Sequence, residues 1–270
     1  MPAMPYPISK LWNQEHDNLT VDLDRCLTVA LAANGCRYPI PVFFRADDIG
    51  VPGKQFRELI HVFARYQVPL SMSVVPAWLT AARWKGIEQL CQKNSNLWCF
   101  YQHGWRHVNH EPTGKKHEFG PARPLLSMEH DLMRGRKRLT SLMQDAFFPA
   151  FTPPWNRCSK EALDVLRASD CRALSRSRGA SPPAPVGMPD FQVNVDLHTR
   201  KERTAALGWE KLYAELTAGI ADGFCGIMIH HQRMNDNALV FLKRLLERMV
   251  VMDAFRFYHL KELTEAHHET

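Results

Sequence analysis

The amino-acid sequence predicts an α/β protein built on a mostly parallel, barrel-like sheet. Short apolar runs alternate with amphipathic segments, seven or eight such runs fit within 270 residues, and polar residues directly follow several of them. This alternation is typical of βαβ units, in which a helix returns the chain to the next parallel strand. With 45% hydrophobic residues, the chain has enough apolar side chains for one large core.

The predicted elements follow one another in a regular order. A first strand at 41–48 precedes a helix at 54–66, on which Phe56, Ile60 and Phe63 form one apolar stripe. Further strands are predicted at 68–76, 97–104, 146–154, 171–175, 190–198, 224–232 and 254–260. The remaining helices are predicted at 127–143, from Ser159, from Trp209 and from Asn237.

The charge and the cysteine content indicate which partners and which compartment to expect. The formal net charge is +6, with 34 Lys and Arg against 28 Asp and Glu, a mild excess that favours anionic partners without requiring them. The basic residues are spread out, and their densest cluster, at 134–138, lies in a predicted helix, so no nucleic-acid partner is expected. Seven cysteines without a CxxC pair are typical of reduced thiols in an intracellular protein.

The sequence also predicts a cytoplasmic protein of one domain. Residues 1–18 carry prolines and charges where a secretory signal needs an apolar run of about 7 to 15 residues. No stretch approaches the roughly 18 apolar residues of a membrane span. We expect one domain over residues 1–270, with its core at about 38–262 and an N-terminal extension at 1–37. The sequence does not specify an oligomeric state.

Groups that bind metals or transfer protons follow five of the predicted strands. They are Asp47 with Asp48, His103 with His107, the run Pro154, Trp155, Asn156 and Arg157, Asp196 with His198, and His230 with His231. In α/β barrels the C-terminal ends of the strands form the active site. A single placement of this kind would mean little, because polar residues collect where strands meet solvent. Five of them predict a functional site at this end of the sheet.

The segment 100–111, FYQHGWRHVNHE, holds three of the 13 histidines. His103 and His107 are four residues apart, so a helical turn there would place both imidazoles on one side, at a spacing suited to one zinc ion. Taken alone, this spacing is more often incidental in a histidine-rich chain. His110 and Glu111 are better explained as part of a polar loop.

The other groups each have a structural alternative. Adjacent side chains on a strand point to opposite sides, so Asp47 and Asp48 could take different roles at one centre. For an isolated pair, however, a turn or helix cap is the better explanation. A carboxylate from another strand would supply the anion that two neutral imidazoles lack. Trp155 could form an aromatic wall suited to a sugar ring, or pack beside its prolines. His230 could be a core residue, but two adjacent histidines at a strand end favour a cleft.

Taken in order, these motifs resemble those of the polysaccharide deacetylase superfamily, the metal-dependent carbohydrate esterases of family 4 with nodulation-factor deacetylase homology. The motifs are Asp-Asp, His-x-x-x-His, Pro-Pro-aromatic and a late strand that ends in His, and they span about residues 43–232. The resemblance implies a distorted (β/α)7 barrel of mostly parallel strands. It implies that Asp48, His103 and His107 bind the metal, that Asp47 is the general base, and that His230 is the general acid.

Further positions match the family less closely. The resemblance implies substrate-binding or supporting roles for Arg45, Pro154, Trp155, Asn156, Arg157, Asp196, His198 and His231. Thr152 stands where the family has an Arg that holds the base carboxylate, and Arg45 or Arg157 could substitute for it. Arg45 and Ala46 replace Thr-Phe in the first motif, and the fourth motif lacks its tryptophan. We therefore expect a divergent branch with a substrate unlike chitin or peptidoglycan.

The activity implied by the resemblance is metal-dependent removal of an N-acyl group, N-acetyl above all, from an amino sugar in a saccharide, glycolipid or sugar nucleotide. Zinc is favoured by the ligand types, and Co²⁺, Ni²⁺ or Fe²⁺ also suit two His and one carboxylate. Two alternatives stay open: a catalytically silent carbohydrate- or partner-binding module of the same fold, and an amidase acting on a non-sugar C–N bond. The loops at 108–125 and 176–189 either shape substrate access or are tolerated insertions.

Overall fold

The computed structural model describes residues 7–35 and 37–268. Within them the strands are β1 (Ile40–Ile49), β2 (Leu70–Val74), β3 (Trp98–His103), β4 (Phe147–Thr152), β5 (Ala173–Leu174), β6 (Val195–Asp196), β7 (Cys225–Ile229) and β8 (Phe255–Tyr258). The α-helices are α1 (Leu19–Ala33), α2 (Lys54–Tyr66), α3 (Ala81–Cys91), α4 (Leu125–Met143), α5 (Lys160–Ala168), α6 (Ala205–Ala221), α7 (Asp236–Met249) and α8 (Leu260–His268). The predicted fold class, a distorted (β/α)7 barrel of mostly parallel strands, is confirmed.

The largest differences from the predicted elements lie where local signals are weak. Strands β5 and β6 have only two residues each. Helix α6 begins four residues before Trp209, because the hydroxyl of Thr204 accepts a hydrogen bond from the backbone N–H of Leu207 at 3.2 Å and caps the helix there. Helices α1, α3 and α8 were not predicted.

The described residues form two compact units, each assembled from three stretches of chain. The first unit contains the residues up to Ala46, Gly53–Leu70 and Asn194–Tyr258, and the second contains Asp47–Pro52, Ser71–Val193 and the residues from His259 onward. Strand β1 contributes to both, because the boundary falls inside it. The assignment of residues 1–270 to a single domain stays a prediction.

In the first unit the strand order is β8-β1-β7-β6, and the pairs are parallel. Residues predicted as an N-terminal extension are part of this unit's core. A short 3-10 helix at Lys10–Asn13 buries Leu11 and Trp12, and α1 buries Leu23 and Leu27. The core was predicted to begin near residue 38, but among the described residues of the extension it already includes Leu11 and Trp12.

In the second unit the strand order is β5-β4-β3-β2, and the β3–β4 and β4–β5 pairs are parallel. All six residues of β3 and all five of β2 are buried, as expected for parallel strands covered on both faces. The register pairs His103 with Thr152, so the C-terminal ends of β3 and β4 lie side by side. This alignment brings the second and third sequence motifs together.

Two further features concern the loops and the helices. The proline-rich loop at 176–189 is closed by a buried ion pair between Arg176 and Asp190, with Nη2 and Oδ2 2.8 Å apart, and its tip is exposed at Val186. No helix in the described part of the chain is long and apolar enough to span a membrane. The roles predicted for this loop and for 108–125 stay predictions.

Candidate metal centre

Asp47 and Asp48 lie near the C-terminal end of β1 and face different surroundings. The Asp47 side chain is buried, and Ser73 on β2 donates a hydrogen bond from Oγ to its Oδ1 at 2.7 Å. Asp48 has a φ of 61°, in the left-handed region that Asp tolerates better than most residues. Its Oδ1 lies 3.3 Å from the Nε2 atoms of both His103 and His107. The two adjacent carboxylates therefore contact different groups.

His103 is the last residue of β3 and is almost fully buried. Its Nδ1 lies 2.9 Å from the carbonyl oxygen of Thr152, which can only accept, so Nδ1 carries the proton. This bond leaves the lone pair of Nε2 facing Asp48. A histidine held by a backbone carbonyl on its other nitrogen is typical of metal ligands, since the bond fixes both tautomer and ring orientation.

His107 reaches the same place by a route that the sequence did not predict. No helical turn begins at His103; residues 104–110 form an irregular loop in which Gly104 and His107 both have positive φ, 57° and 60°. The two imidazole centroids lie 5.2 Å apart. The predicted pair is thus brought together, but the predicted reason, a shared helical face, is wrong.

Glu118 supports this loop and was not predicted. Its side chain is fully buried and accepts hydrogen bonds from the backbone N–H groups of Trp105 (3.0 Å) and Arg106 (2.6 Å). Burial raises the pKa of Glu118, although these backbone donors act in the opposite direction. A Cβ on Gly104 would lie 2.1 Å from Glu118 Oε2, which explains why glycine stands at this position. In the sequence Glu118 is one charge among several in a polar loop, and no pattern distinguishes it.

The three side chains fit a divalent cation. One donor atom each from Asp48, His103 and His107 lies within 4.8 Å of the others, and this is the one such group of at least three residues found among those described. Charge-assisted hydrogen bonds measure about 2.7–2.9 Å, so the two 3.3 Å contacts are long for direct bonds. Two ligands at about 2.0–2.1 Å from one tetrahedral zinc ion would be about 3.3 Å apart. The spacing therefore suits a shared ion better than direct hydrogen bonding.

The charge balance at His103 also reflects the nearby acidic groups. Burial alone would lower the pKa of His103, but the contact with Asp48 and the negative charges of Asp47 and Asp48 outweigh it and raise the pKa. Two carboxylates therefore create a locally negative environment around the imidazole. Such an environment attracts a cation, whether a proton or a metal ion.

Aromatic rings flank His107 on two sides. Trp155 lies 4.5 Å from it between ring centroids, and Trp78, which was not predicted, lies 5.9 Å from it. The Nζ of Lys116, in the loop at 108–125, lies 5.9 Å from the Trp155 ring. Trp155 is half-buried, so it stands beside the candidate ligands instead of packing fully into the core. The aromatic-wall interpretation of Trp155 stays a prediction.

The rest of the third motif turns sharply after β4. Trp155 and Asn156 have positive φ, 56° and 60°, Pro154 is buried, and Arg157 is half-buried. Thr152, which stands in place of the family's arginine, is fully buried. It donates a hydrogen bond from Oγ1 to the Ser175 carbonyl at 2.8 Å. Thr152 therefore holds strand ends together and presents its carbonyl to His103.

The remaining predicted residues lie in the first unit. His230 is half-buried after β7, and its backbone N–H donates to Nδ1 of the buried His198 at 3.2 Å. His231 is buried, with its ring 5.6 Å from that of Phe56. Arg45 is fully buried, and its Nη2 lies 3.1 Å from Sδ of Met228. The predicted roles of these residues stay predictions.

Asp196 is occupied by its own turn. Its Oδ1 accepts from the backbone N–H groups of His198 and Thr199, both at 2.9 Å, and its Oδ2 accepts from the Thr199 hydroxyl. The buried Nδ1 of His230 has no hydrogen-bond partner among the residues that the structure describes. Asp196 therefore shapes the turn after β6, and the substrate-binding or supporting role predicted for it stays a prediction.

The fold and this cluster define an α/β-barrel protein with a candidate Asp-His-His metal centre. Polysaccharide deacetylases and family 4 carbohydrate esterases have the same fold. A structure from Mycobacterium smegmatis assigned as a polysaccharide deacetylase superimposes with a TM-score of 0.65 at 13% identity, over 85% of this chain and 91% of that one. The resemblance predicted from the motifs is therefore confirmed for the fold.

Two other solved structures extend this comparison. A family 4 acetyl xylan esterase from Clostridium thermocellum, in complex with a cobalt ion, gives a TM-score of 0.54 at 12% identity over 84% of this chain and 91% of that one. A mutant of a pseudoenzyme of the same esterase family gives 0.51 at 9% identity over 84% and 68%. No family model and no curated protein matches the chain in sequence. Since identities are this low, the likeness concerns the fold alone.

Proposed function

We propose that the protein is a metal-dependent hydrolase that removes an N-acyl group, N-acetyl above all, from an amino sugar. The observation that supports this most directly is the convergence of Asp48, His103 and His107 on one point beside the buried carboxylate of Asp47. Two imidazoles and one carboxylate leave further coordination positions open, which is typical of catalytic and not of structural metal sites. Zinc is the ion that this ligand set favours, with Co²⁺, Ni²⁺ or Fe²⁺ as substitutes.

In this proposal each residue of the candidate site has its own role in the reaction. Asp48, His103 and His107 would hold the cation, which would supply Lewis acidity toward water and the acyl oxygen. Asp47 takes a proton from the attacking water as general base, and Ser73 keeps its carboxylate oriented through the bond to Oδ1. His230 gives a proton to the departing amine as general acid. Trp155 contributes an aromatic face beside His107 on which a sugar ring can stack.

Metal analysis tests the ligand assignment. We expect about one ion per chain in the purified protein, and a loss of affinity well beyond tenfold in Asp48→Ala and in His107→Ala, since supporting residues alone are worth about 10- to 100-fold. His110→Ala is the matched control, because His110 is exposed in the same loop. Unchanged metal content in both ligand variants would refute the site.

Acetate release tests the activity. The wild-type protein, loaded with zinc or cobalt, is assayed on N-acetylated sugars, sugar nucleotides and oligosaccharides, with acetyl esters and non-sugar amides as additional substrates. Release from the amino sugars alone supports the proposal. Release from non-sugar amides alone identifies the amidase alternative instead.

A catalytically silent binding module is the second candidate. It is favoured by Thr152, which stands in place of the arginine, and by the pseudoenzyme among the structures of this fold. Saccharide binding that is measurable by calorimetry without any acetate release would select this candidate. A cytoplasmic location and the lack of a nucleic-acid partner also stay predictions; the free, mostly buried thiols of the described cysteines suit a reducing compartment.

A further inference from the structure

The N-terminal residues 7–13, which we call the N-terminal anchor, are bound into the first unit. Trp12 is fully buried, and its ring centroid lies 5.1 Å from that of Trp209, 5.3 Å from Phe241 and 6.1 Å from His198. A tryptophan with this many aromatic neighbours is fixed in one orientation. The anchor is therefore a rigid part of the unit.

The anchor first holds the turn that follows β6. The indole N–H of Trp12 donates to the Leu197 carbonyl at 2.8 Å, and Ser9 Oγ donates to the His198 carbonyl at 2.7 Å. Lys10 Nζ donates to the Arg203 carbonyl at 2.8 Å. Three side chains of the anchor thus bind main-chain acceptors over residues 197–203. Bonds to backbone carbonyls fix the path of the chain itself, not only the side chains.

The anchor also holds the segment that follows β7. The Trp12 carbonyl accepts hydrogen bonds from the side-chain amides of Asn235 (2.7 Å) and Asn237 (3.0 Å). Arg233 Nη1 donates to the Pro7 carbonyl at 2.9 Å. The anchor therefore connects the turn after β6 with the chain that immediately follows His230.

His198 links these contacts to His230. Its Nδ1 accepts the backbone N–H of His230 at 3.2 Å, so its proton is on Nε2, which is buried and has no hydrogen-bond partner within residues 7–35 and 37–268. Burial lowers the pKa of His198 to about 3, and the electrostatic influence of His230, His231 and Arg233 acts in the same direction. His198 is therefore neutral near pH 7, and its Nδ1 can accept a hydrogen bond. The carbonyl of His198 in turn accepts the hydrogen bond from Ser9 Oγ.

We propose that the N-terminal anchor is a positioning element for His230: it acts through His198 on the main chain of His230 and so places the imidazole to which the proposed function assigns protonation of the leaving group. The role of His230 in this inference rests on the proposed function. The contacts that connect the anchor through His198 to the main chain of His230 do not depend on that function. Ser9, Trp12 and His198 are positioning residues, because none of them needs to touch the substrate. The sequence motifs did not predict a role for the anchor, because they begin only at Phe43.

Four variants test the inference. Trp12→Phe keeps a buried ring but removes the donor to Leu197. His198→Phe keeps a ring but removes the acceptor for His230, whereas His198→Asn keeps an oxygen near the position of Nδ1. Trp98→Phe is the matched control, because the Trp98 indole donates to the Cys91 carbonyl at 2.9 Å in the second unit.

The first readout needs no enzymatic activity. Amide hydrogen exchange of His230, measured by NMR on the full chain, should accelerate about fivefold or more in Trp12→Phe and His198→Phe, because an amide that loses its acceptor is less protected. His198→Asn and Trp98→Phe should stay near the wild-type rate. Unchanged exchange in His198→Phe overturns the inference, whatever the protein catalyses.

The second readout compares two leaving groups. An amine leaves poorly without a proton, whereas 4-nitrophenolate leaves unaided, so misplacement of a general acid affects only the first. We expect kcat on an N-acetylated sugar to fall about 10- to 100-fold in Trp12→Phe and His198→Phe, with little change for 4-nitrophenyl acetate and with rescue in His198→Asn. Equal losses on both substrates would indicate a general structural defect and overturn the inference. A wild-type protein that releases acetate from neither substrate refutes the proposed function, and amide exchange then decides the inference.

Discussion

At the scale of residues, the neighbouring side chains of Asp47 and Asp48 have different contacts. The side chain of Asp48 faces His103 and His107, whereas that of Asp47 is buried and bonded to Ser73. The strand pleat sends neighbouring side chains in opposite directions. Replacing either residue should therefore disturb a different function.

Asp47→Asn separates metal binding from catalysis. We expect the variant to keep its metal content and to lose at least about 100-fold in kcat, the usual contribution of a positioned base. The amide cannot accept the proton, although it can still accept the bond from Ser73. Asp164→Asn is the control and should retain the full rate, because the Asp164 side chain on α5 is 46% exposed and its ion-pair partner is the exposed Lys160. Near-complete activity in Asp47→Asn would remove Asp47 from the mechanism.

His198 predicts a pH dependence of stability. Its folded pKa of about 3 lies below the ordinary value of 6.5, because burial disfavours the charged imidazole. Between these values the unfolded chain binds a proton that the folded chain does not, so stability falls as the pH falls below about 6.5.

Urea unfolding at pH 7 and pH 5 measures this effect. Between these two pH values the wild-type protein should lose about 2 kcal/mol more than His198→Phe, which has no imidazole to protonate. The comparison removes the contributions of all other titrating groups that the two proteins share. Parallel losses in both proteins would show that His198 is not held neutral.

At the scale of elements, the loop after β3 determines whether the site can form. Gly104 has a φ of 57°, and a Cβ there would meet Glu118 and Pro154 at 2.1 and 2.5 Å. The same loop must return His107 toward Asp48 within four residues. Only a residue without a side chain allows this path.

Gly104→Ala should therefore destabilise the protein by more than about 2 kcal/mol and reduce its metal content. A left-handed alanine costs about 1 kcal/mol, and displacement of a buried carboxylate adds to this cost. Gly179→Ala is the control: it has a φ of 72° but nothing within 4 Å of the added Cβ, so it should show the backbone cost alone. Equal changes in the free energy of unfolding would contradict the steric explanation.

This loop also shows why part of the site was predictable and part was not. His103 and His107 were recognisable because their residue types and order match a known motif. Their local geometry was not, since the turn depends on Glu118, whose contribution is two bonds to the main chain. Trp78 was missed for a similar reason, because it follows a different strand and meets His107 only after folding. Contacts that are distant in sequence leave no periodic signal.

At the scale of the whole molecule, buried strands were predicted well and the N-terminal region was not. The runs at 41–48, 68–76 and 97–104 each contain a cluster of apolar residues, which is a signal for buried parallel strands. Helix α1 precedes the first motif and has only a weak apolar face. Trp12 lies in a short stretch with few apolar residues, and its aromatic partners are about 200 residues away in the chain. No local pattern could have placed it.

The thiols give a prediction for the entire chain. The six described cysteines are free, and burial raises the pKa of Cys91, Cys99, Cys158, Cys171 and Cys225 to about 12; Cys36 lies outside the described residues. Since thiolates are the reactive form, these thiols should react slowly with a disulfide reagent in the native protein and rapidly after unfolding. The melting temperature should not change when a reductant is added. Rapid labelling of more than two thiols in the native state would contradict this.

Left-handed backbone is concentrated at and beside the candidate ligands: Asp48, His107, Trp155 and Asn156 are four of the seven non-glycine residues with positive φ in the described chain. Each such conformation costs of the order of 1 kcal/mol or more and persists only where the surroundings enforce it. A descendant of this protein that no longer needed the chemistry would be free to drift toward glycine at these positions and would become more stable by doing so. Glycine at several of these four positions in a related sequence would thus indicate that catalysis has been lost.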